Sequence, residues 1–165
     1  MGLDNSGKTS IVLSLQKKTN LLSYYSLKPT HGVDIINLQI QGKTISLWDC
    51  GGQEKYRKMY LNDLEKYTFG VDKLIFVIDV QDIERYRLAL KYLSNIINYL
   101  SSQNRKVKIS IFLHKFDPNL ETIENFSFNK IKAELIDEIH KIIPSNFEFD
   151  IFKTTIFTVF QKILI

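Results

Sequence analysis

The residues best suited to chemistry stand at the start of the sequence. Gly2-Leu3-Asp4-Asn5-Ser6-Gly7-Lys8-Thr9 fits the pattern G-x-x-x-x-G-K-[ST] at every fixed position. Two glycines at that spacing let the backbone curl, so that its N–H groups converge on a phosphate chain. Lys8 then reaches the β- and γ-phosphates, and the Thr9 hydroxyl is placed to ligate Mg²⁺. A helix after the loop would turn its positive end toward the same phosphates. A chance Gly-rich turn would not be expected to match four fixed positions.

Two further constellations suit the same ligand. Trp48-Asp49-Cys50-Gly51-Gly52-Gln53 follows a predicted strand. A carboxylate at a strand end can hold Mg²⁺, Gly52 lets a backbone N–H approach a terminal phosphate, and Gln53 can hold an attacking water through its amide. Taken alone, the stretch also reads as a hairpin-to-loop turn. His114-Lys115-Phe116-Asp117 follows another predicted strand. The Asp117 carboxylate can accept two hydrogen bonds from the N1–H and 2-amino group of guanine, a donor pair that adenine lacks. The Lys115 stem can lie across the base. The plain alternative is a helix cap at Asp117-Pro118.

These residues need elements to position them. The sequence predicts a helix from Lys8 to about Lys18, a polar loop from Ser23 to His31, and a hairpin from Val33–Ile40 and Thr44–Trp48 turning at Gln41-Gly42-Lys43. Leu74–Val80 reads as a strand buried on both faces. Asp82 is placed to cap a helix over Ile83–Leu100, whose apolar residues recur at three- and four-residue steps. Val107–Leu113 is a further strand, Phe128–Ile143 an amphipathic helix stopped by Pro144, Phe147–Phe152 a last strand and Phe157–Ile165 a final helix. This alternation predicts an α/β domain with a mostly parallel sheet, whose ligand lies beyond the carboxyl ends of the strands.

The 165 residues form one domain, and 44% hydrophobic with 24% charged residues is ordinary for a globular chain. No apolar stretch of 18 residues marks a membrane span and no apolar segment marks a secretory signal. The Met1-Gly2…Ser6 match to a myristoylation pattern is rejected, because that glycine belongs to the phosphate loop. The single Cys50 excludes an internal disulfide and fits a reducing, cytoplasmic setting. A net charge of +4 with short basic pairs such as Lys17-Lys18 and Arg105-Lys106 reads as solvated surface, not a nucleic-acid face. Cys50 and Trp48 read as packing residues. Lys55-Tyr56-Arg57-Lys58-Met59-Tyr60 reads equally as an interface or as a helix packing through Tyr56, Met59 and Tyr60.

Over essentially its whole length the chain resembles the small Ras-superfamily GTPases. Gly2-Leu3-Asp4 and Pro29-Thr30-x-Gly32 are similar to the Arf and Arf-like branch. Trp48-Asp49-Cys50-Gly51-Gly52-Gln53, His114 and Thr154-Thr155-Ile156 are more similar to the Rag/Gtr branch. The resemblance implies a P-loop NTPase G domain spanning 1–165, a three-layer α/β/α fold with one antiparallel edge hairpin strand. It implies GTP/GDP and Mg²⁺ as ligands. Asp4, Asn5, Ser6, Gly7, Lys8, Thr9 and Ser10 would hold the phosphates. Thr9, Thr30 and Asp49 would hold the metal, with Thr30 engaged only in the GTP state. Gly52 would sense the γ-phosphate, Gln53 would orient water and Lys8 would supply charge. His114, Lys115, Asp117, Thr155 and the Ile156 N–H would form the base site. Activating and exchange proteins are implied as partners, as are effectors that read the Thr30 loop and Gln53–Asn62.

The sequence departs from that pattern in places. The strand that ordinarily leads into the loop is missing, since Met1 alone precedes Gly2. Ile156 is joined to the last helix with almost no spacer. Both read as segments absent from this sequence. His114 replaces an asparagine that ties the base loop to the phosphate loop, a tie an imidazole can keep through one hydrogen bond. Two other readings stay open: a non-catalytic G-domain scaffold, as one half of a Rag-like pair or a receptor subunit, and a P-loop kinase, which four arginines without an arginine-rich lid do not support. G-domain dimerisation and peripheral membrane attachment also stay open.

Overall fold

A computed structural model of the chain describes residues 1–16 and 20–157. The expected end of the first helix, Lys17-Lys18, and all of the expected last helix but Phe157 lie outside the described residues. Helix α1 (Lys8–Ser14) starts directly after the phosphate loop. The expected loop at 23–31 instead begins inside a short helix, α2 (Leu21–Tyr25), because the Asn20 side chain accepts from Ser23 N at 3.0 Å and so caps it.

Strands β1 (Val33–Ile40) and β2 (Lys43–Cys50) pair antiparallel, from Val33 opposite Cys50 to Ile40 opposite Lys43. Gln41 and Gly42 both take positive φ, 49° and 78°, as a two-residue turn matched to strand twist requires. Helices α3 (Glu54–Asn62) and α4 (Leu64–Thr68) follow. Strand β3 (Lys73–Asp79), helix α5 (Tyr86–Ser102) and strand β4 (Lys108–His114) make a βαβ unit, and β5 (Phe149–Lys153) joins β4, giving the parallel order β3-β4-β5.

The core lies between this sheet and the helices on it. Phe76, Ile78, Ile109 and Ile111 from the strands meet Leu93, Ile96 and Ile97 of α5 and Leu135 and Ile139 beyond it. The expected helix over 128–143 is present in three pieces: α6 (Phe128–Ile131), a π-helical turn over Lys132–Ile136, and α7 (Asp137–Ile142). Asp82 does not cap α5. A 3₁₀ turn (Ile83–Arg85) intervenes and the Asp82 carboxylate pairs with Arg85 instead.

The parallel sheet and the antiparallel hairpin are both present, and among the described residues the hairpin forms its own two-stranded ladder. Beside β3 stand the first two residues: the Met1 ammonium donates to Ile75 O at 2.7 Å, Val77 N donates to Met1 O at 2.9 Å, and Gly2 bridges Val77 in parallel.

Candidate functional site

The phosphate loop folds as a tight arch. Asn5 and Gly7 take φ of 58° and 87°, and Gly7 is the N-cap of α1. Ser6 and Lys8 are buried, Asp4 and Ser10 are half-buried and Asn5 is exposed. Lys8 Nζ donates to Leu3 O at 2.5 Å and lies 3.4 Å from Ser6 Oγ. Burial pushes the Lys8 ammonium down to about 8, opposed by the carboxylates of Asp49 and Asp4. A phosphate chain would supply the charge this buried ammonium lacks.

Thr9, Thr30 and Asp49 come from α1, the loop before β1 and the end of β2, and they meet. Thr9 Oγ1 donates to Asp49 Oδ2 at 2.6 Å, Thr30 Oγ1 donates to the same oxygen at 3.1 Å, and the two hydroxyls lie 2.9 Å apart. Asp49 Oδ1 is buried without a hydrogen-bond partner. An orphaned carboxylate oxygen beside two hydroxyls is an all-oxygen donor set and fits a hard divalent cation such as Mg²⁺. Among the described residues no group of three His, Cys, Asp or Glu side chains offers a softer metal a place.

The loop after β2 packs on the phosphate loop. A methyl group placed on Gly52 would lie 2.2 Å from Asp4 N and Leu3 C, so only glycine lets these backbones approach. Gly51 N–H donates to Gly32 O at 2.8 Å and Tyr60 Oη donates to the same carbonyl at 2.6 Å. The two expected switch segments therefore share one acceptor. The Gln53 side chain lies against Gly51, and its Oε1 is buried without a partner. Trp48, expected in the core, is 42% exposed because it alternates away from Asp49 on β2. In α3 the inward residues are Arg57 and Tyr60, while Met59 is exposed, so the helix packs through a different face from the expected Tyr56/Met59/Tyr60 set. Cys50 is buried, as expected of a small filler.

At the other end, His114 is buried, and a methyl on Gly7 would lie 2.3 Å from its Cδ2. The imidazole thus touches the phosphate loop by packing. Its hydrogen bond is between Nδ1 and Thr154 Oγ1, at 2.9 Å, not to the loop. Burial and the neighbouring Lys115 ammonium hold its pKa below the ordinary histidine range. Lys115 Nζ pairs with Asp79 Oδ2 at 2.6 Å. Asp117 accepts from Thr155 Oγ1 at 2.6 Å on Oδ1 and from Gln81 Nε2 at 2.8 Å on Oδ2. Ile156 is partly exposed beside them.

Sequence reasoning missed Gln81, Arg85, the bond from the Tyr60 hydroxyl to Gly32 O and the inward role of Arg57. Gln81 Nε2 also donates to Lys115 O at 2.8 Å, and Gln81 N donates to Asp79 Oδ1 at 2.9 Å. Its position two residues beyond a strand-end aspartate was the only local signal.

The family model for the Gtr1/RagA G protein conserved region matches residues 1–164. Among solved structures the chain is similar to the Arl6 (BBS3) small GTPase from Trypanosoma brucei, solved with the nucleotide analogue GppNp bound. The two share 20% identity over 93% of this chain and 83% of that one, with a TM-score of 0.69. At that identity the likeness is one of fold.

Proposed function

The chain belongs to the Gtr1/RagA G protein family, of the small GTPase class, and on that premise we propose that it is a guanine-nucleotide switch that binds GTP and GDP with Mg²⁺ and slowly hydrolyses GTP. The observation that carries the reading is the meeting of Thr9 and Thr30 on Asp49 Oδ2. One hydroxyl comes from the phosphate-loop helix and the other from the loop before β1, so a ligand that draws Thr30 to its third phosphate bears on both elements, as a sensor of that phosphate needs.

In this reading Lys8 and the loop N–H groups hold the β- and γ-phosphates, and Asp117 takes the guanine N1–H and 2-amino group while Gln81 and Thr155 hold its carboxylate in place. Thr9, Thr30 and Asp49 would hold Mg²⁺, which neutralises charge on the phosphate oxygens. Gln53 orients the attacking water through its amide, and the transfer depends on positioning and charge. No arginine stands between Leu21 and His31. An activating partner then supplies one, worth roughly 10³–10⁵ in rate. Effectors and exchange proteins read the Thr30 loop and Gln53–Asn62. Among the described residues no helix is long and apolar enough to cross a membrane.

Gln53→Leu tests the assignment. Single-turnover hydrolysis of bound GTP is expected to be lost, while GTP is still retained and released intact on denaturation. Undiminished hydrolysis in that variant would refute the role of Gln53, and retention of adenine nucleotide would refute the switch.

A further inference from the structure

The reaction just described makes no use of a cluster of four charges at the side of the phosphate loop. Asp4 comes from the loop, Arg57 from α3, and Asp82 and Arg85 from the turn before α5. Arg85 Nη1 lies 3.1 Å from Asp4 Oδ1, and its Nη2 lies 3.4 Å from Asp4 O. Arg57 Nη1 lies 3.5 Å from the same Asp4 Oδ1 and donates to Gly52 O at 2.8 Å. Arg85 is itself fixed by Asp82, through Nε at 2.5 Å. The Arg57 guanidinium is buried, 6.0 Å from the Tyr92 ring.

The placement has an electrostatic consequence. Asp4 backbone packs directly on Gly52, and in the switch reading, where Gly52 senses the third phosphate, its carboxylate hangs on the part of the loop nearest that phosphate. A free carboxylate there would repel the triphosphate more than the diphosphate. Two aspartates and two arginines sum to zero charge, and both guanidinium groups draw Asp4 Oδ1 toward α3 and α5. Arg57 joins that oxygen to the Gly52 carbonyl, so the same clamp ties the loop to the second switch.

We propose that Arg85 and Arg57 are positioning residues that hold the Asp4 carboxylate off the phosphates and so set the preference of the site for a nucleoside triphosphate over the diphosphate. The inference rests on the guanine-switch reading. Arg85 is the residue to vary, because Arg57 also supports Gly52 and is buried.

The test is a double-mutant cycle on nucleotide preference, measured as dissociation constants for fluorescent GDP and a fluorescent non-hydrolysable GTP analogue in the presence of Mg²⁺. Arg85→Ala leaves Asp4 with Arg57 alone and the cluster with one net negative charge, and is expected to weaken the triphosphate analogue about tenfold relative to GDP, the scale expected for one uncompensated charge at a half-exposed site. Arg85→Lys, which keeps the charge and loses the fork, should fall between. In an Asp4→Gly background, Arg85→Ala should shift the ratio by less than about twofold, since no carboxylate remains to be held. Equal loss of both nucleotides in Arg85→Ala, or the same tenfold shift in the Asp4→Gly background, would overturn the clamp and leave the switch standing. A wild-type chain that retains neither nucleotide would overturn the switch and the clamp with it.

Discussion

Lys8 shows how one residue's burial shapes ligand binding. Its ammonium is held by a loop carbonyl, and burial lowers its pKa from 10.5 to about 8. The sign follows from proton counting. Between about pH 8 and 10.5 the unfolded chain holds a proton that the folded, nucleotide-free chain has lost, so folding stability rises with pH across that window. Phosphates favour the ammonium, so nucleotide binding above pH 8 must take the proton back. Calorimetry of GDP binding at pH 8.5 in two buffers of different ionisation enthalpy should show uptake of more than about half a proton, shrinking toward pH 7. No uptake at pH 8.5 would contradict the buried ammonium. At this scale the sequence foretold the tight glycine arch before Lys8, and Thr9 and Asp49, expected at one site, do meet, because the phosphate-loop pattern fixes residue type and spacing within a few positions. The roles of Gln81, Arg57 and Arg85 were not legible, because the partners that tie them to the site, Lys115 for Gln81 and Asp4 for both arginines, are distant in sequence, 34 positions for Gln81 and 81 for Arg85.

Three elements meet at the Gly32 carbonyl. It accepts from Gly51 N and from Tyr60 Oη, and Tyr60 is fully buried with its ring edge-on to Tyr67 at 4.8 Å. Burial pushes the Tyr60 phenol well up, so it remains a donor throughout the neutral range. Tyr60→Phe keeps the ring and removes one donor, while Gly51 N–H still satisfies the carbonyl. We expect a loss of about 1 kcal/mol in stability, with faster amide exchange confined to the Thr30–Gly32 loop and α3. Exchange accelerated equally across β3 and β4 would mean the hydroxyl supports the whole fold rather than the coupling of two segments. The helix was one of two equal readings of 55–60, and of its inward face Tyr60 was expected but Arg57 was not, since the Asp4 carboxylate that Arg57 meets comes from a distant loop. The π-helical turn at Lys132–Ile136 left no local signature either, because it inserts one residue into an apolar period that otherwise continues from Phe128 to Ile142.

At the scale of the whole molecule, the alternation of strands and helices predicted the α/β fold, while the division into two ladders was hidden because register between distant strands is a tertiary matter. The phosphate loop is where the parts join. It touches the hairpin through Thr9 and Asp49, the loop after β2 through Gly52, the loop after β4 through Gly7 and His114, and the turn before α5 through Asp4 and Arg85. A ligand that fills the loop therefore bears on contacts with every part at once, and should stabilise the chain as a unit rather than one segment. Linkage gives about 2.7 kcal/mol at a ligand concentration of 100 times Kd. For a domain of this size each kcal/mol moves the midpoint by roughly 2–4 °C. GDP with Mg²⁺ should accordingly raise Tm by about 5–10 °C in a single cooperative transition. ADP at the same concentration should give little shift, because the Asp117 acceptor pair finds no matching donors on adenine. Chelating Mg²⁺ should reduce the GDP shift, since Asp49 Oδ1 then regains no partner. An equal shift with ADP would place the specificity in the phosphates alone, and a transition that splits in two on adding GDP would show that the loop does not join the parts.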